Sequence, residues 1–150
     1  MRKTLYPLLL VPFLLGYVNP ATGQRHASEV WRGFDPPAKP WLAGHRGVDL
    51  PAQPGAQIFA SEDGVVAFAG TVAGTPVVSI DHADGIRTTY QPVHAWVTQG
   101  EQVSEGAVIG ILGATTANDP GLHWGARTGK DAYINPLSLL DRPTIRLKPV

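Results

Sequence analysis

The chain has 150 residues, and its twelve basic and twelve acidic side chains give a formal net charge of zero. This balance does not favour binding to nucleic acid by phosphate neutralisation, so no nucleic-acid partner is predicted. Glycine and proline supply about a fifth of the residues, which favours a turn-rich β protein over a helical bundle. The absence of cysteine excludes disulfide bonds, thiolate metal sites and a cysteine nucleophile.

Residues 1–23 have the order of a secretory signal peptide. A basic start precedes an apolar run, Leu5–Val18, that is short for a membrane span and contains Pro7 and Pro12. Small and turn-forming residues follow, and cleavage is expected near Ala21 or Gly23. We therefore expect a protein that is secreted or otherwise outside the cytoplasmic membrane; retention of the segment as an uncleaved membrane anchor is the alternative.

The proline-rich stretch 24–43 predicts an extended linker, followed by one domain over 44–140 and a tail over 141–150. Within the domain, short apolar runs alternate with turn residues, and Asp84-Gly85 is a strong hairpin signal. Such strands, roughly 8–12 residues apart, are typical of an all-β sandwich or barrel. Strands are predicted over 57–60, 64–69, 76–81, 86–90, 108–112 and 122–126.

Three residues form a candidate metal site. His45 and Asp49 are four positions apart, so on an extended strand both side chains lie on the same face. His123 lies in a predicted strand near the other end of the domain. Two imidazoles and a carboxylate are the protein ligands of a catalytic zinc site, which leaves a fourth position for water. The spacing alone favours a hydrogen-bonded His–Asp pair with His123 in the core over a metal site, and both interpretations stay open at this point.

Six segments between Gly44 and Leu140 form an ordered series of motifs: Gly44–Leu50, Gln57–Gly70, Asp81–Tyr90, Gln99–Gly110, Leu122–Arg127 and Asn135–Pro136. Together they resemble the motifs of the lysostaphin-type (LytM-like) peptidoglycan endopeptidases. The resemblance implies an antiparallel, barrel-sandwich-like domain of the duplicated-hybrid-motif type with a central open groove. It also implies a Zn²⁺ bound by His45, Asp49 and His123, and hydrolysis of peptide bonds in cell-wall peptidoglycan.

The chain departs from that family at two positions that concern catalysis. Gly121 stands where the family's second zinc motif begins with a histidine that assists the reacting water, and Pro92 replaces a second histidine. General acid–base groups contribute about 10²- to 10⁴-fold, so their loss puts turnover in question. His94 is the candidate substitute catalytic residue, and Asp119 is a further candidate to orient a water. Strand alternation predicts that Gly121 faces the metal beside His123.

Two residues are candidates for contact with a substrate. Arg127 either contacts a substrate carboxylate or the zinc-site loop, or is a solvated residue at a strand end. Trp124 either lines the groove or packs in the core. The favoured interpretation is a zinc metallopeptidase acting on peptidoglycan peptides. The alternative is a zinc-binding but weakly catalytic module that binds the cell wall or a cell-wall hydrolase. A biotinyl-type carrier is disfavoured because Lys39, Lys130 and Lys148 lie outside predicted hairpin tips.

Overall fold

The computed structural model describes residues 16–27 and 29–141, and the regular secondary structure of these residues is almost entirely β-strand. The all-β prediction is confirmed, and each of the six predicted strands is present. A short 3₁₀ helix, Pro136–Leu139, follows the last strand, and the Asn135 side chain accepts a hydrogen bond from its Leu137 amide. The strands are β1 Gly47–Leu50, β2 Gln57–Phe59, β3 Gly64–Val72, β4 Thr75–His82, β5 Arg87–Gln91, β6 Val93–Ala95, β7 Gln102–Val103, β8 Val108–Leu112, β9 Leu122–Gly129 and β10 Ala132–Ile134.

Two antiparallel sheets make up the domain. The larger sheet has the strand order β1-β9-β5-β4-β3-β7, and the smaller has the order β2-β8-β6. Strand β9 is central to the candidate site because β5 pairs with one of its edges, while β1 and β10 pair with successive halves of the other. This arrangement places β1, from the start of the domain, directly beside β9 from its end.

Alternation along the strands gives the large sheet one apolar face and one polar face. Trp124 and Tyr90 are paired across β9 and β5 and are fully buried, with Val48 and Leu50 of β1 on the same side. The residues between them point the opposite way. The apolar face packs over the small sheet, whose Ile58, Val93, Ile109 and Leu112 complete the core.

His82, at the end of β4, belongs to a buried hydrogen-bond chain rather than to a catalytic site. Its Nδ1 lies 2.8 Å from the carbonyl oxygen of Asp63, which can only accept, so Nδ1 carries the proton. Its Nε2 then accepts from the Thr88 hydroxyl at 2.7 Å. Thr88 is in turn bonded to the hydroxyl of Tyr90, which contacts Ser61. This series of hydrogen bonds requires the His82 imidazole to be neutral.

Burial lowers the pKa of His82 below its ordinary value of 6.5, against opposing hydrogen-bond and carboxylate effects from Asp63, Asp84 and Asp81. The unfolded chain therefore binds this proton at a higher pH than the folded chain does. The stabilisation is present above about pH 6.5 and is lost as the pH falls through the folded pKa. We expect the free energy of unfolding, measured with urea between pH 7.5 and 5.0, to fall less steeply in His82→Gln than in the wild type. Identical pH dependence in both would contradict this.

The segment before β1 is packed onto the domain, and the boundaries at residues 23 and 43 stay predictions. Tyr17 and Val18 are buried, and their amides donate to the carbonyls of Leu139 and Ser61. Residues 1–15 of the predicted signal peptide and 142–150 of the predicted tail lie outside the described residues. Within the described part of the chain, no helix is long and apolar enough to cross a membrane.

Candidate metal centre

The pairing of β1 with β9 brings the three predicted ligands together. Asp49 and His123 are direct cross-strand partners, and His45 stands two residues before β1 on the face that carries Asp49. His45 Nε2 lies 3.1 Å from Asp49 Oδ1, and His123 Nδ1 lies 3.2 Å from each of these two atoms. Gly47 makes this approach possible, because a Cβ there would lie 2.8 Å from His123 Nε2. The three atoms converge on one point.

The chemistry of these atoms fits a bound cation. His45 Nδ1 is 2.8 Å from the carbonyl oxygen of Gly33 and must donate to it, so Nε2 presents a lone pair toward the Asp49 carboxylate. The buried Oδ2 of Asp49 has no hydrogen-bond partner among the described residues. Ligand atoms around a tetrahedral zinc are about 3.3 Å apart for bonds of about 2.0 Å, close to the spacing observed here. The residues therefore fit a zinc ion.

The segment Trp31–Asp35 is irregular backbone that runs antiparallel to residues 45–49 beside the centre. It forms isolated bridges that pair Arg32 with Asp49 and Asp35 with His45. The Gly33 carbonyl between them is the partner that orients the His45 ring, an arrangement that commonly raises metal affinity. What the sequence predicted to be a linker is therefore a second layer of the metal centre.

Asp119 lies beside the three candidate ligands and adds a second carboxylate to the centre. Its Oδ1 is 3.7 Å from His45 Nε2, and ligand atoms of the four residues lie within 4.8 Å of one another. Arg32 holds it there, since the guanidinium donates to Asp119 Oδ1 at 3.1 Å and to the Asn118 carbonyl at 2.9 Å. The turn is closed by the Thr116 hydroxyl, which accepts from the Asp119 amide. The Asp119 carboxylate thus lies beside the fourth coordination position, which the predicted zinc site leaves for water.

Two cavities meet at His123 and Gln91 and together form an open groove over the polar face of the large sheet. The first, of about 340 Å³, is lined by Asp119, Pro92 and His94. The second, of about 480 Å³, extends along β9 and includes Arg127. The exposed His94 lies in the wall of the first cavity and is outside the four-residue cluster.

The structure differs from the prediction that Gly121 faces the metal. Strand β9 begins at Leu122, so the period-two alternation does not extend back to Gly121, whose φ is +70°. A Cβ at this position would collide with the carbonyl oxygen of Leu50 and lie 3.0 Å from Cε3 of Trp31. An imidazole introduced at Gly121 would therefore displace backbone before it could approach the metal centre.

We accordingly expect Gly121→His to destabilise the fold and to leave hydrolysis no faster than in the wild type. Gly121→Ala tests the backbone effect alone, with an expected loss of at least about 1–3 kcal/mol because both a left-handed φ and a clash are involved. Gly125→Ala is the matched control, since a Cβ there meets nothing closer than 3.5 Å. Urea unfolding measures the stability of both alanine variants. Equal stabilities would contradict the left-handed backbone and the steric clash described at Gly121.

The two predicted substrate contacts have different outcomes. Trp124 is fully buried on the apolar face of β9, so its ring packs in the core and does not line the groove. Arg127 is half-buried on the polar face and lines the second cavity. Three contributors were missed by sequence reasoning: Arg32 and Gly33 because prolines indicated a linker, and Gln91 because its register beside His123 is visible only in the folded sheet.

An antiparallel β domain with a two-histidine, one-carboxylate centre at the floor of an open groove defines a metallopeptidase-like class. Residues 43–136 match the family described as Peptidase family M23. The chain belongs to this family, which confirms the resemblance to lysostaphin-type enzymes.

Two curated relatives illustrate the match. The uncharacterized protein Rv2891 of Mycobacterium tuberculosis is 46% identical over 130 residues, which are 81% of this chain and 51% of that protein. The DD-carboxypeptidase/endopeptidase Mpg of Neisseria gonorrhoeae is 37% identical over 97 residues, covering 63% of this chain and 22% of the relative. The chain thus spans about half the length, or less, of these relatives.

Solved structures agree on the fold. The catalytic domain of lysostaphin from Staphylococcus simulans has a TM-score of 0.62 and 23% identity, with 73% of this chain and 90% of that chain covered. A zinc-containing peptidase from Vibrio cholerae has a TM-score of 0.66 and 23% identity, with coverage of 82% and 40%.

Proposed function

We propose that this protein is an extracytoplasmic zinc metallopeptidase that hydrolyses peptide bonds in bacterial peptidoglycan. The observation that carries the proposal is the set of three ligand atoms, 3.1–3.2 Å apart, where the two cavities of the groove meet at His123. Such a groove admits a peptide in extended form. The cell-wall substrate is supported by the family and by the peptidase activities named for Mpg.

Different residues of the centre have different roles in the proposed hydrolysis. His45, Asp49 and His123 would hold zinc, which when bound supplies Lewis-acid polarisation of a carbonyl and activation of water. The Gly33 carbonyl keeps the His45 ring in the orientation that leaves Nε2 free for the metal. Asp119 Oδ1 is placed to accept a hydrogen bond from water entering the centre.

Arg32 is a positioning residue in this scheme. Its guanidinium touches Asp119 and the neighbouring Asn118 carbonyl, and so restricts the carboxylate to the side of the centre that faces the first cavity. A fixed carboxylate loses less entropy when it orients a water than a mobile one does. Asp119 thus supplies a hydrogen-bond acceptor at the centre, whereas Gly121 and Pro92 have no side-chain acceptor.

Replacing Asp119 by asparagine tests this role. The amide keeps the size and one acceptor oxygen but loses the charge, so we expect hydrolysis to fall roughly 10- to 100-fold, at the low end of general acid–base effects. Bound zinc, measured by plasma emission, should stay near one equivalent. Asp131→Asn, in the exposed β9–β10 turn, is the matched control and should retain full activity. Unchanged turnover in Asp119→Asn would remove this role from Asp119.

The proposed function itself is tested with purified cell-wall sacculi. Clearing of turbidity and release of peptide fragments, identified by mass spectrometry, should require zinc, stop after chelation and return when zinc is restored. The altered positions 121 and 92 favour a second candidate, a zinc-loaded module that binds the wall or a cell-wall hydrolase without cleaving. Binding to sacculi by zinc-loaded protein, with no fragment released, would support that candidate and overturn the peptidase.

A further inference from the structure

Beyond the metal centre, the groove floor toward the second cavity consists of cross-strand rows of the large sheet. Side chains at every second position of β9 and β5 face the groove, because alternate residues share a face. The pairing register sets which residues stand side by side. In order from the metal, the rows are Asp49–His123–Gln91, Gly47–Gly125–Thr89 and Arg127–Arg87.

The middle row leaves the floor open. Two of its members are glycines, and a Cβ at Gly125 would meet only ordinary contacts at 3.5 Å or more. A peptide chain seated at the metal centre can therefore continue along β9 without meeting a β9 side chain until it reaches Arg127 in the third row. The cavity of about 480 Å³ follows this path.

The far end of the path is basic. Arg87 is already bound by Asp81, through contacts of 2.6 and 3.0 Å. Arg127 forms no ion pair with any of the described residues. Arg46 lines the same cavity, with its guanidinium 5.9 Å from the Tyr133 ring centre. Within the described part of the chain, it donates only to backbone carbonyls. Among the described residues, none that lines this cavity carries a carboxylate, whereas Asp119 lines the other cavity.

We propose that Arg127, assisted by Arg46, is a specificity subsite for a free carboxylate of the bound peptide. The inference rests on the proposed function for the peptide's cell-wall origin, and it assigns the acidic group to the β9–β10 end of the groove. Arg127 lies four residues, about 13 Å, along β9 from His123. With the reach of an arginine side chain, the carboxylate belongs roughly two to four peptide residues from the bond held at the metal. Guanidinium pairs with carboxylate through two parallel hydrogen bonds.

The test compares binding of two synthetic peptidoglycan stem peptides to the full, zinc-loaded chain. One peptide carries free carboxylates, and in the other each is an amide. Fluorescence anisotropy of dye-labelled peptide at low temperature gives the affinity, while mass spectrometry follows cleavage in the same samples. We expect the wild type to prefer the acid peptide about 10-fold and Arg127→Gln to bind both peptides alike, with amide-peptide affinity unchanged. Lys130→Gln, which removes a nearby charge outside this cavity, should keep the preference.

Equal affinity of the wild type for both peptides, no measurable binding of either, or an unaltered preference in Arg127→Gln would each overturn the subsite. Cleavage without preference would retain the peptidase and discard the subsite. Preference without cleavage would retain the subsite and discard the peptidase. The two proposals therefore fail separately.

Discussion

His123→Ala is expected to lose zinc and, with it, essentially all hydrolysis of cell-wall substrate. The variant keeps only His45 and Asp49, and two protein ligands do not complete the three-ligand set of a catalytic zinc site. We expect zinc affinity to fall at least about 100-fold and turnover to fall at least about 1000-fold. Plasma emission analysis measures the first, and fragment release from sacculi measures the second.

Zinc should also raise the unfolding temperature of the wild type but not of His123→Ala, because a ligand stabilises only the state that binds it. His94→Ala is the matched control, since His94 lies in the groove wall but outside the ligand cluster. It should retain zinc. If turnover nevertheless falls, His94 has the catalytic role predicted from the sequence. A His123→Ala protein that still holds one equivalent of zinc would contradict the assigned ligands.

Trp124→Ala is expected to cost more stability than any other single change discussed above. The side chain is completely buried between the two sheets and pairs across the ladder with Tyr90. Truncating a buried tryptophan to alanine typically costs about 3–5 kcal/mol, which is a large part of the roughly 5–15 kcal/mol that stabilises a domain. Urea or thermal unfolding followed by circular dichroism measures the loss.

Trp96→Ala provides the comparison, because Trp96 is 59% exposed and should change stability by less than about 0.5 kcal/mol. Similar stability for Trp124→Ala and the wild type would mean that the ring is not part of the core. It would also reopen the groove-lining interpretation of Trp124.

The parts of this protein that sequence reasoning predicted are those with a local signal. Alternation and Asp-Gly turn chemistry predicted the strands, and the spacing of His45 and Asp49 placed both on one face. The approach of His123 to Asp49 depends on β1 pairing with β9, a contact between distant segments that periodicity alone does not specify. Resemblance to known motifs supplied it.

The places where the structure differs from the sequence predictions also have physical reasons. Gly121 was assigned to the metal-facing row because alternation was extended one residue beyond the start of β9, where a left-handed φ turns the backbone. Arg32 and Gly33 were assigned to a linker because prolines at 36, 37 and 40 indicate irregular backbone. Irregular backbone still has carbonyl groups, and one of them orients His45.

The segment Trp31–Asp35 extends the metal centre of this protein beyond the residues that match the family. The family match begins at residue 43, so it includes each residue of the three-ligand set but omits the carbonyl behind His45 and the guanidinium behind Asp119. Partners of this kind commonly alter metal affinity or activity about 10- to 100-fold. Substitutions at residues 31–35 are therefore expected to alter the metal centre even when every residue that matches the family stays the same.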